Sequence, residues 1–195
     1  MRGGLFATAA LLCALPASGE NLALSQMVIN ALTPIDTMPS ETALATVFTA
    51  PLDSLRTIAL DHSVDFGVEL RAIRALPTYC PASQVCGPGT VVHDTLTSLI
   101  DGYATSPHSP RDVLRLRAAV EALGAARSRL ASDVDKLMPL LNDGSRDVRV
   151  TVVRALRNIC NDQASGPLNQ RLSSEPTDQV RLAIFAALRD LRQCN

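Results

Sequence analysis

DGSRDVRVTVVRALRNI (143–159) and EPTDQVRLAIFAALRDL (175–191) carry the same message at a spacing of 32 residues. Ser145 matches Thr177, Val148 matches Val180, Arg149 matches Arg181, and Val152 matches Ile184. Ala155-Leu156-Arg157 matches Ala187-Leu188-Arg189. The apolar positions are Val148, Val152, Ala155, Leu156 and Ile159 in the first copy. In the second they are Val180, Ala183, Ile184, Ala187, Leu188 and Leu191. Both sets follow the i, i+4, i+7, i+8, i+11 stripe of a helix with one buried face. Ser145 and Thr177 stand three residues before each valine, where a hydroxyl caps the first helical turn.

Weaker copies lie upstream. VELRAIRAL (68–76) and RLRAAVEAL (115–123) both align with VRVTVVRAL (148–156). After these helices the chain breaks and resumes as a second apolar helix: TVVHDTLTSLIDGY, ASDVDKLMPLLND and SGPLNQRLSSE. SETALATVF and PLDSLRTIALD read as a more degenerate first pair, with Ser40-Glu41 and Pro51 as helix starts. One helix pair cannot bury its own apolar face, so a pair recurring every thirty-odd residues predicts a stack in which neighbours supply the core.

The pattern D-x-x-x-x-V-R followed by A-L, in pairs of short helices, resembles HEAT repeats. It is most similar to the HEAT-like group named after bilin lyases. The resemblance covers residues 40–192 and is strongest from Arg111 onward. It implies an all-α, right-handed α-solenoid of about four to five stacked antiparallel helix pairs. It also implies a structural ladder between layers, formed by the loop acids Asp143 and Glu175 with Arg149 and Arg181. It is specific for architecture and unspecific for function.

The chain divides on paper into a signal peptide (1–19), a leader segment (20–39) and the repeat domain (40–195). Arg2 precedes an apolar run from Leu5 to Leu15, then Pro16, and Ala17-Ser18-Gly19 leaves small side chains before a cut at Glu20. Cys13 as a lipidated residue is disfavoured by the bulk of Leu12, and the run is short for a membrane anchor. The mature chain is expected to be exported, to the periplasm or beyond, with no membrane span. Removing Cys13 leaves Cys80, Cys86, Cys160 and Cys194, an even number suited to an oxidising compartment. The short loop CPASQVC favours a Cys80–Cys86 bond. One period after Cys160 comes Arg192, and Cys194 is two residues further, so Cys160 and Cys194 are expected at neighbouring helix ends. A zinc site is discounted, because the spacing is not CxxC and no histidine lies near.

Apolar residues make up 47% of the chain and aromatics only 3%, with no tryptophan, so Leu, Val, Ile and Ala must build the core. The net charge of −1 conceals an asymmetry. Residues 20–110 hold three basic and nine acidic side chains, and residues 111–195 hold 14 basic and 10 acidic. Such a field could orient a partner or favour head-to-tail association, or simply reflect arginines covering solvated helix faces.

No catalytic, cofactor-binding or metal-binding constellation stands out. His62, His93 and His108 are isolated and read as surface residues; none belongs to an HExxH or His-Glu motif. His93 and Asp94 are adjacent in a helix and are not expected to face each other. CGPGT (86–90) lacks the ending and the strand of a phosphate loop, and Thr90 reads as a helix cap. Three functions compete: a protein-binding scaffold, an envelope enzyme or assembly factor of the HEAT-like lyase type, and a nucleic-acid grip. The acidic half, the absence of tryptophan and the signal sequence oppose nucleic acid. The scaffold reading, without catalysis or cofactor and with an unidentified protein partner, is preferred. In the last helix Leu182 and Phe185 fall outside the repeated stripe. They are expected on its uncovered side, as a partner or self-association surface, with packing of Phe185 on the PLNQRL helix as the alternative.

Overall fold

The computed structural model describes residues 25–33, 37–80, 85–105 and 108–194. The signal peptide, its cleavage site and the start of the leader lie outside the described residues. Among the described residues ten α-helices follow in order: α1 (Gln26–Leu32), α2 (Glu41–Ala45), α3 (Pro51–Leu60), α4 (Phe66–Ala75), α5 (Val91–Tyr103), α6 (Pro110–Ala125), α7 (Ala131–Leu137), α8 (Arg146–Ile159), α9 (Ser165–Ser174) and α10 (Asp178–Leu191). No strand occurs among the described residues.

Helices α4, α6, α8 and α10 pack in sequence, each on the next, and form one row. The return helices lean on the first helix of the following layer: α3 on α4, α5 on α6, α7 on α8, and α9 on α10. This staircase is an α-solenoid. The leader is less empty than its sequence indicates. It contains α1, which buries Val28 and Leu32 and packs against α4, and so belongs to the stack.

Local chemistry sets the boundaries. The side chains of Ser40, Thr90, Ser109 and Ser145 each accept a hydrogen bond from a backbone N–H in the first turn of the next helix. Pro51 and Pro110 stand at the first position of α3 and α6, where a missing N–H costs nothing. Pro139 cannot donate to a continuing helix, so α7 tightens into a 3-10 turn over Met138–Asn142. Thr177 departs from the expected pattern and makes no side-chain cap bond to α10. Its hydroxyl accepts from the Nη2 of Arg149 at 3.3 Å instead, and a neighbouring acid holds the turn.

Apart from Cys86, the buried core is leucine, isoleucine, valine and alanine, as the scarcity of aromatics requires. Helices α6 and α8 cross closely at Gly124. A Cβ placed on Gly124 would lie 2.6 Å from the Cα of Ala155, and backbone cannot step aside. Both expected cysteine pairs stand at bonding distance, with Cα separations of 5.3 Å for Cys80–Cys86 and 5.4 Å for Cys160–Cys194. Cys160 ends α8 in the left-handed region (φ 60°, ψ 50°), a conformation usually left to glycine or asparagine.

Gly124→Ala is expected to destabilise the fold by about 1–2 kcal/mol, because overpacking at the crossing outweighs the gain in helix propensity. Gly102→Ala on α5, where a Cβ meets nothing within 4 Å, should leave stability equal or raise it by up to about 1 kcal/mol. Chemical denaturation of both variants checks the contrast. Replacing Cys160 and Cys194 together by alanine opens a loop of sequence separation 34 and should cost about 4 kcal/mol on the chain-entropy account.

Candidate interaction surface on the last described helix

Buried charge pairs join successive layers. Arg149 of α8 grips Glu175 with two parallel bonds, Nε to Oε2 at 2.9 Å and Nη2 to Oε1 at 2.8 Å. Its Nη1 donates to the main-chain oxygens of Asp143 and Gly144. Glu175 also accepts from Arg171 and from the backbone N–H of Thr177. Burial alone would raise its carboxyl, but these donors prevail and hold it at about 2. The expected ladder therefore changes in detail. The carboxylate of Asp143 does not meet Arg149 but accepts from Nε2 of His108 at 2.7 Å and from the backbone N–H of Ser145. Arg181 is exposed on α10 and belongs to none of the described ion pairs. One layer back, Arg115 of α6 binds Glu69 of α4 in the same two-pronged way, at 2.6 and 2.9 Å. Its guanidinium also lies over the Phe66 ring at 5.1 Å.

The histidines correct the surface reading. The side chains of His93 and His108 are only 8% and 5% exposed. The Nε2–H of His93 donates to Asp133 at 2.9 Å, and the Ser128 hydroxyl donates to the other oxygen of that carboxylate. His93 Nδ1 also lies 3.3 Å from Asp94, the neighbour it was expected to turn away from. His62 stays half exposed and bridges Tyr103 to Glu69. Each histidine thus partners a carboxylate. The signal that could have located the two buried ones, His93 and His108, is an acid in the adjoining layer, 35 to 40 residues on. These contacts are consumed by the architecture. The loop at 86–90 is likewise internally satisfied: Gly89 N–H donates to Asp94, and Thr90 caps α5. A cavity of about 560 Å³ between α1, α4 and α6 contains Arg71, Arg74 and Glu121, but no nucleophile with an adjacent base. Among the described residues no three His, Cys, Asp or Glu side chains converge to hold a metal, and no helix is long and apolar enough to cross a membrane.

The face of α10 is defined by comparison with α8. Ala155 of α8 lies against Gly124 of α6. Arg149 and Arg157 point the other way, toward Glu175 and toward Asp190 of α10. Val153, between those arginines, is fully buried, and Val150 is 5% exposed. Thirty-two residues on, the same positions hold Arg181, Leu182, Phe185 and Arg189. Leu182 is 69% and Phe185 53% exposed. The inward stripe of α10 (Val180, Ile184, Ala187, Leu191) is buried, and α10 packs against α8 and α9, while Phe185 stays 53% exposed. Among the described residues, nothing buries Leu182 and Phe185 on this outer face.

Stacked helix pairs with charge pairs at their joints and an extended exposed surface define an α-helical repeat protein. The family model for HEAT repeats matches residues 96–189, which supports a HEAT-repeat assignment of that stretch. No curated protein and no solved structure matches the chain.

Because the carboxyl of Glu175 is lowered in the fold, its contribution to stability is complete above its ordinary value of 4.5 and is lost as pH falls from there through about 2. Glu175→Gln should cost about 1–3 kcal/mol at pH 7 and show a flatter acid limb in denaturation midpoints measured between pH 5 and 2. An unchanged acid limb would remove Glu175 from this role.

Proposed function

We propose that this chain is an exported, non-catalytic scaffold that binds a protein partner through the exposed face of α10. HEAT repeats in general mediate protein–protein interaction. The observation that carries the reading here is the exposure of Leu182 and Phe185, whose counterparts in α8, Val150 and Val153, are buried. Two large apolar side chains set among arginines are costly to leave in water and form a natural anchor for a docked helix. The ionisable groups that would otherwise attract an enzymatic reading, His93, His108, Asp133, Asp143 and Glu175, are all engaged in contacts within or between layers. The cysteine pairs at bonding distance support an oxidising destination, in keeping with the signal sequence.

Replacing Leu182 and Phe185 together by aspartate should abolish capture of the partner from the exported fraction while leaving helicity and melting temperature nearly unchanged. A double variant that loses its helical signal would show that the two side chains are structural. Native mass spectrometry should give a chain beginning at Glu20 and lighter by four hydrogens than the reduced form. A full-length reduced chain would sink the export reading.

A further inference from the structure

We propose that the partner on α10 is a second copy of this chain, docked antiparallel about a two-fold axis; this rests on reading α10 as a docking face. Asp178, Leu182, Phe185 and Arg189 follow one another at i, i+4, i+7 and i+11, so they form one stripe along the exposed side of the helix. Read from the N-terminus, the stripe is acid, apolar, apolar, base. Parallel pairing would set Asp178 against Asp178 and Arg189 against Arg189. Antiparallel pairing sets Asp178 against Arg189 of the second copy and Leu182 against its Phe185. A single two-fold operation then forms two ion pairs and two apolar contacts, the self-complementarity that a closed dimer requires.

The charged ends are free to take part. Asp178 is exposed in the first turn of α10 and belongs to none of the described ion pairs. Arg189 is 73% exposed and donates from Nε to its neighbour Asp190 at 2.9 Å. Asp190 also approaches Arg157 at 3.8 Å, so it keeps a cation when Arg189 turns to the second copy. Arg181 and Arg192 flank the stripe on one side, and the two-fold brings those of both copies to the same edge, which weakens the pairing. The helix is 14 residues, about 21 Å, and one such face falls short of the ~800 Å² per partner in a standard interface. The dimer is therefore weak, with a Kd of tens of micromolar on the order of magnitude, and weaker in high salt.

The test is sedimentation equilibrium of the full mature chain from about 1 to about 300 micromolar. The expected result is a monomer–dimer equilibrium that Asp178→Arg or Arg189→Asp alone weakens by about tenfold or more, because each places like charges together twice. The combined Asp178→Arg, Arg189→Asp variant should return the Kd to within about threefold of the parent, since the reversed stripe is again self-complementary. Circular dichroism of each variant guards against unfolding, and Asp178→Asn with Arg189→Gln replaces any reversal that lowers helicity. A parent chain that stays monomeric overturns the inference, as does a combined variant that is not restored. Growth beyond the dimer with concentration also overturns it, in favour of head-to-tail stacking. If the parent is monomeric yet loses a different protein when Leu182 and Phe185 become aspartate, the docking face stands and the second copy does not.

Discussion

The paired grip of Arg149 on Glu175 is the contact on which the last layer depends. A carboxylate with no exposed surface must be compensated almost completely, because burying an unpaired charge costs several kcal/mol. Glu175 is compensated by two arginines and a backbone amide, drawn from α8, from α9 and from its own turn. The contact therefore fixes three elements at once. It also explains why Thr177 need not cap α10 with its own hydroxyl: the acid two residues earlier satisfies the backbone N–H of Thr177, and the hydroxyl serves Arg149.

The same constraint recurs with different residues at the other joints. Glu69 and Arg115 join α4 to α6, and His108 and Asp143 join the loops that lead into α6 and α8. Apolar packing between helices is non-directional and tolerates sliding. A buried bidentate bond does not slide, so these contacts pin the vertical register of the stack while Leu, Val and Ala supply its cohesion. At the α6–α8 crossing the register is pinned also by shape, since Gly124 admits Ala155 only at one height.

Much of this was legible in the sequence. The helical stripe at 143–159 and 175–191 gave the layer, its period gave the stack, and the period placed Cys160 beside Cys194. The histidines and the partner of Asp143 were not legible. Periodicity marks a polar residue as solvent-facing and carries no information about a partner 35 residues away that allows it to be buried. The helix inside the leader was missed for a related reason: seven residues are too few for a stripe to show. For the surface of α10, sequence comparison between the copies was more informative than either copy alone. Leu182 and Phe185 stand out in the sequence because they fall outside the stripe shared by the two copies, and the structure adds that their counterparts Val150 and Val153 are buried.

The bond between Cys160 and Cys194 gives α10 a mechanical polarity. It ties the C-terminal end of that helix to the C-terminal end of α8, and Cys160 adopts a left-handed backbone there. A pull on the exposed face of α10 therefore reaches α8 through a covalent link at one end and through the Arg149–Glu175 bonds at the other. Peeling can begin only where the non-covalent grip sits. A load borne by this helix is resisted first by an ion pair that acid weakens, and then by a bond that only a reductant can open.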